Sequence, residues 1–170
     1  MPYDVYGIGK IFFNRGSTEM IAIGSDHGGY ELKEKVKKHL EERGYEVKDF
    51  GTFSTESVDY PDIALPVAEA VAAGEYERGI LLCSTGIGIS IAANKVNGIR
   101  AAVCSEPYSA EMMRRHNNAN ILCMGGKVVG VDLAYKITDL FLDTEFQGGR
   151  HQRRIDKIAD IEKKQVEKAK

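Results

Sequence analysis

Cys83-Ser84-Thr85-Gly86-Ile87-Gly88 sets a thiol and two hydroxyls beside two closely spaced glycines, directly after the apolar run Gly79-Ile80-Leu81-Leu82. Glycine permits positive φ and close backbone approach, so successive amides at the start of a following helix can hold an anion or a developing oxyanion. A thiol beside such amides can serve as base or nucleophile. The same spacing also suits a plain glycine-rich strand-to-helix turn with a buried cysteine. It is not a Walker A loop, because no Gly-Lys-Ser/Thr ending follows, and no third glycine completes a dinucleotide fingerprint.

Other stretches carry complementary groups. In Asp26-His27-Gly28-Gly29, His27 suits a phosphate and Asp26 a hydroxyl, although Asp26 would equally cap the next helix. His116-Asn117-Asn118 follows Arg114 and Arg115; its imidazole can act as acid or base near neutrality, or the group can simply end a helix with charge matched to the dipole. Gly148-Gly149-Arg150-His151-Gln152-Arg153-Arg154 is the densest basic patch, and Arg150 and Arg154 at i, i+4 share one helical face that could clamp a phosphate or lie solvated. Asp59-Tyr60-Pro61-Asp62 reads either as a helix start or as a sugar contact. Together these supply a thiol base, a His acid, an oxyanion loop and an anion clamp, which suits proton transfer next to a carbonyl on a small phosphorylated molecule.

The elements that must position these groups follow from the apolar pattern. Short apolar runs near 21–25, 46–50, 79–83, 100–104 and 121–124 alternate with amphipathic segments near 30–43, 63–73, 88–96, 108–117 and 131–142. That rhythm predicts an α/β domain with a parallel sheet covered on both faces, and a doubly wound sheet would gather most of the candidate groups at the carboxyl edge of its strands. Ile80-Leu81-Leu82 and Ala101-Ala102-Val103 are apolar at consecutive positions, as two-sided burial requires. Residues 152–170 carry Lys, Arg, Glu and Ile at helical spacing, predicting a final amphipathic helix against its own or a partner subunit.

At 170 residues and 43% hydrophobic content, one core is expected rather than two. Residues 1–19 show no sustained periodicity and read as an extension of unknown role, leaving 20–170 as a single domain. The net charge of -2 gives no bias towards nucleic acid or an anionic membrane. No apolar run nears the roughly 18 to 20 residues of a spanning helix and no basic-then-apolar leader is present, so a cytoplasmic place is expected. Cys83, Cys104 and Cys123 lack close metal-ligand spacing and predict free thiols rather than a disulfide frame or zinc cage.

These stretches, with Glu56-Ser57-Val58-Asp59-Tyr60-Pro61, the continuation Ile89-Ser90-Ile91-Ala92-Ala93-Asn94-Lys95 and Gly98-Ile99-Arg100-Ala101, resemble the B-type ribose-5-phosphate isomerase family in content and order, over nearly all of 20–164. That family also includes allose-6-phosphate and galactose-6-phosphate isomerases. The resemblance implies a Rossmann-like three-layer α/β/α sandwich and a homodimer or dimer of dimers with active sites at the subunit interface. It further implies interconversion of D-ribose 5-phosphate and D-ribulose 5-phosphate, a step of the pentose phosphate pathway, without a metal or cofactor. By the same resemblance Cys83 is the C1/C2 base and His116, supplied by the partner, assists ring opening. Thr85 and the amides of Ser84, Gly86, Ile87 and Gly88 hold the enediolate, while Asp26, Asp59, Tyr60 and Asn117 contact hydroxyls or the ring oxygen. His27, Arg150 and Arg154 hold the phosphate. Two residues depart from the pattern: Ser84 stands where a Gly is usual, and Lys127 where many members carry Arg, keeping the charge without the bidentate fork. The alternatives are an aldose-phosphate isomerase of another sugar or a sugar-phosphate-binding module, and a binding module has no need of both Cys83 and His116.

Overall fold

A computed structural model describes residues 19–169 of the chain; the expected extension at 1–19 lies, apart from Glu19, outside the described residues. The chain alternates strand and helix: β1 (Met20–Ser25), α1 (Tyr30–Glu42), β2 (Glu46–Asp49), α2 (Tyr60–Ala72), β3 (Arg78–Cys83), α3 (Ile87–Ala93), β4 (Ala101–Val103), α4 (Pro107–Arg115), β5 (Ile121–Gly125), α5 (Val131–Asp143) and α6 (Arg150–Lys168). All strand pairs are parallel, in the order β2-β1-β3-β5-β4. The order reverses between β1 and β3, whose carboxyl ends flank the crevice where such sheets bind ligands.

Side chains leave a strand alternately to its two faces, and the core divides accordingly. Ile21, Ile23, Ile80, Leu82, Leu122 and Met124 pack under α1, α4 and α5, against Leu32, Val36, Met113, Ile137 and Phe141. Ala22, Leu81, Cys83, Ile121 and Cys123 point the other way, against Val67 and Val71 of α2 and Ile89 and Ala93 of α3. Full burial of each such Leu or Ile contributes roughly 1.5–3 kcal/mol, so the two clusters fix the sheet between its helix layers and Cys83 on the α2/α3 face.

Two readings from sequence need correction. Ala101-Ala102-Val103 is an edge strand, with its alanines half-buried and Val103 38% exposed, because β5 is its sole neighbour. α2 begins at Tyr60 rather than near 63, since Pro61 falls in its first turn, where proline's fixed φ suits a helix. Among the described residues, no helix is long and apolar enough to cross a membrane, and no group of three or more His, Cys, Asp or Glu is placed to hold a metal. Cys83, Cys104 and Cys123 are free and buried.

Candidate active site

Cys83 closes β3 on the carboxyl edge, 4% exposed, and its Sγ accepts the Gly86 N–H at 3.0 Å. An amide aimed at sulfur is the contact a thiolate accepts best. Gly86 makes this turn possible: its φ is +80°, and a Cβ there would meet the Met124 carbonyl carbon at 2.9 Å. Thr85 is exposed, and its Oγ1 accepts the Ile87 N–H at 3.2 Å. The β5–α5 loop is bolted alongside, with Gly126 N–H donating to the Cys83 carbonyl (2.7 Å) and Lys127 N–H to that of Ser84 (3.1 Å). Lys127 itself is exposed beside the turn.

Three further groups converge on the same edge. Asp26, 6% exposed, accepts the Gly28 and Gly29 amides at 2.8 and 3.1 Å, so its Oδ1 organises the turn into α1 rather than capping through the N-cap residue, which is Gly29. A Cβ on Gly28 would collide with Ser84 Oγ, which places the Ser84 hydroxyl directly over this turn. His27 Nδ1 accepts the Val58 N–H at 3.2 Å. A backbone amide can only donate, so Nδ1 is unprotonated and the ring's proton sits on Nε2. Asp59 occupies the N-cap position of α2 without a side-chain cap bond, and the Tyr60 ring lies against Gly88, where a Cβ would meet Tyr60 Cζ at 2.8 Å. Asp59 and Tyr60 therefore adjoin the Cys83 turn.

His116, Asn117, Arg150 and Arg154 lie elsewhere. α4 runs back from the end of β4, so His116 at its C-cap reaches the amino edge of the sheet. There Arg100 donates to the Asn117 and Asn118 carbonyls at 2.8 and 2.9 Å, just ahead of β4, and Asn120 leads into β5. Cys83 pairs with Gly125 at the other end of β5. At about 3.3 Å per residue the two edges are roughly 15 Å apart. α6 starts beside His116, whose ring stacks on His151 with centroids 4.3 Å apart and planes at 12°; Arg150 and Arg154 are exposed on its first turns. One sheet edge thus gathers most of the candidate groups, as expected, while these four lie apart, because a helix returning from a strand deposits its last residues at the opposite edge.

Reading the sequence by motif also missed a buried ion pair. Lys33 is fully buried, and its Nζ donates to both Asp49 oxygens at 2.8 Å and to the Thr52 carbonyl at 2.7 Å. Asp49 accepts the Gly51 N–H at 2.9 Å, while Ser25 and residues 51 and 52 exchange backbone bonds. The segment between β2 and α2 is thereby anchored at its base by Lys33 and at its end by His27. Lys33 adjoins Leu32 and precedes Val36 and Leu40 on the buried stripe of α1, a position where a cation needs a partner; that was the available signal.

A doubly wound domain that sets a thiol, a glycine-built turn and the His27 imidazole at the carboxyl edge of its strands is suited to acid-base chemistry on small polar substrates. Residues 21–158 match the family model Ribose/Galactose Isomerase, and the chain belongs to that family of isomerases. It is 56% identical to ribose-5-phosphate isomerase B of Escherichia coli over 144 residues, 85% of this chain and 97% of that protein. The solved structure of Clostridium thermocellum ribose-5-phosphate isomerase B is 63% identical and superposes with a TM-score of 0.84, covering 85% and 98% of the two chains. The Mycoplasma genitalium ribose-5-phosphate isomerase B, solved with bound ribulose 5-phosphate, is 44% identical with a TM-score of 0.82, covering 85% and 96%.

Proposed function

We propose that residues 20–170 form a single isomerase domain that interconverts D-ribose 5-phosphate and D-ribulose 5-phosphate at sites shared between two copies in the cytoplasm. The observation that carries the chemistry is the Cys83 thiol under the Gly86 amide at the mouth of a glycine-built turn. Cys83 takes the C2 proton of the open-chain aldose; the C–H electrons form the C1–C2 double bond and the carbonyl pair moves onto O1. Thr85 and the amides from Ser84 to Gly88 would supply the donors for that developing oxyanion, with the Ile87 N–H turning to it from Thr85 Oγ1. Return of the proton to C1, with the O2 proton passing to O1 as C2=O2 forms, yields the ketose.

The separation of the two edges supports a dimer. Cys83, Asp26, His27, Asp59, Tyr60 and Lys127 line one, while His116, Asn117, Arg150 and Arg154 line the other, so a two-fold pairing of copies completes two equal sites. Exposed apolar residues support such a contact: Ile87 and Ile91 on α3, Leu65 on α2, and Ile158 and Ile161 on α6. His27, offering Nε2–H, and the Arg150/Arg154 face of the partner would then meet the phosphate, with Lys127 beside it as a point charge. A panel of pentose and hexose phosphates with purified protein tests the substrate: rapid turnover of D-ribose 5-phosphate is expected, and activity confined to hexose phosphates would overturn the assignment.

A further inference from the structure

We propose that His151 is a positioning residue for ring opening: its imidazole is the fixed plate against which the His116 ring is held at the angle needed to meet the furanose. The inference rests on His116 acting in ring opening and assigns a part to a residue so far without one.

His116 is poorly held by everything else. It follows the last residue of α4, its ring is half-buried, and among the described residues it forms no side-chain hydrogen bond. The chain then turns through Asn118 at φ +45°. The stack on His151 is therefore what restrains the ring's torsions. His151 is the rigid member, 6% exposed in the first turn of α6, with its amide donating to the Gly148 carbonyl at 3.0 Å and Ile155 buried one turn on.

Charge reinforces the geometry. Burial lowers the proton affinity of His151, and His116, Arg150 and Arg154 nearby lower it further. Both effects work against a positive charge on the plate that backs the His116 ring.

Ring opening breaks the C1–O4 bond, the electron pair going to O4, which gains a proton; O1 loses its proton as C1=O1 forms. Both proton positions are directional, and a ring misplaced by about 1 Å costs on the order of 100-fold. α6 also carries Arg150 and Arg154 on the adjoining exposed face. One rigid helical turn thereby sets the distance between the phosphate clamp and the group acting at the other end of the same sugar.

The test separates ring opening from proton transfer. D-Ribulose 5-phosphate has no furanose form, because its O5 is phosphorylated, so exchange of its C1 proton with solvent deuterium needs no ring step. Net isomerisation of D-ribose 5-phosphate needs one. His151→Leu is expected to lower kcat for ribose 5-phosphate at least about 10-fold with KM changed less than about twofold, while C1 exchange stays within about threefold of wild type. His151→Phe, which keeps a flat ring, is expected to retain most of the kcat. Wild-type turnover by His151→Leu, equal loss in both assays, or failure of His151→Phe to outperform His151→Leu would overturn the proposal. His116→Asn serves as reference: equal loss of both reactions in that variant refutes the ring-opening reading itself, whereas selective loss there without selective loss in His151→Leu refutes only the part given to His151.

Discussion

Lys33→Met is expected to destabilise the fold by about 3 kcal/mol, the lower end of the range for breaking a buried ion pair. The structure sets that end of the range. Removal of the ammonium strands Asp49, whose side chain is only 9% exposed, but leaves it the Gly51 amide at 2.9 Å and Lys37 at 3.4 Å. For a chain of this size each kcal/mol shifts Tm by roughly 2–4 °C, so thermal unfolding should report a fall of about 6–12 °C. The double variant Lys33→Met, Asp49→Leu should recover most of the loss, because neither charge is then left unpaired. Activity should also respond, since Lys33 holds the Thr52 carbonyl at the base of the segment leading to Asp59 and Tyr60. KM for the sugar phosphate is expected to rise more than kcat falls. A Tm drop under about 2 °C, or a double variant as unstable as the two single losses added, would refute the view of Lys33 as a buried anchor.

Three more outcomes are expected. Cys83→Ala and His116→Asn variants, each inactive alone, should recover about a quarter of wild-type activity when mixed at equal amounts and allowed to exchange, because half the dimers then contain one intact site; no recovery despite exchange would place both residues in one chain's site. Ser84→Gly removes the hydroxyl packed over Gly28 and should raise turnover of six-carbon aldose phosphates relative to ribose 5-phosphate in the same panel. Stability should fall as pH rises from about 9 towards 11: burial, with Glu106 adding to it, pushes the Cys104 thiol up to about 11, and burial pushes Cys123 up as well. The unfolded chain ionises both thiols earlier and so binds fewer protons in that window. Replacing Cys104 with Ala should flatten that slope, as followed by denaturant midpoint against pH.

The layer order of the domain was legible because its strands obey local rules. Ile80-Leu81-Leu82 is apolar at every position and lies in the centre of the sheet, as its pattern demands. Ala101-Ala102-Val103 carries the same pattern and lies at an edge, for strand order is a property of the tertiary fold and leaves no mark on three residues. The Cys83 turn was legible through its glycines, and Gly86 does adopt the positive φ that only glycine takes without strain. The two-edged division of the site was recoverable from chain direction, since His116 ends a helix whereas Cys83 ends a strand. The stack of His151 on His116 was not, because it joins α4 to α6 across 35 positions (151 − 116 = 35) with no periodic relation between them.

The central claim is that Cys83 moves the proton between C1 and C2. Its most direct test is incorporation of solvent deuterium at C1 of ribulose 5-phosphate by Cys83→Ala, measured by NMR beside a binding titration. Binding close to wild type and exchange reduced by at least about 100-fold are expected, as loss of the base in a proton transfer entails. Exchange at the wild-type rate in a variant confirmed to lack the thiol would contradict the claim.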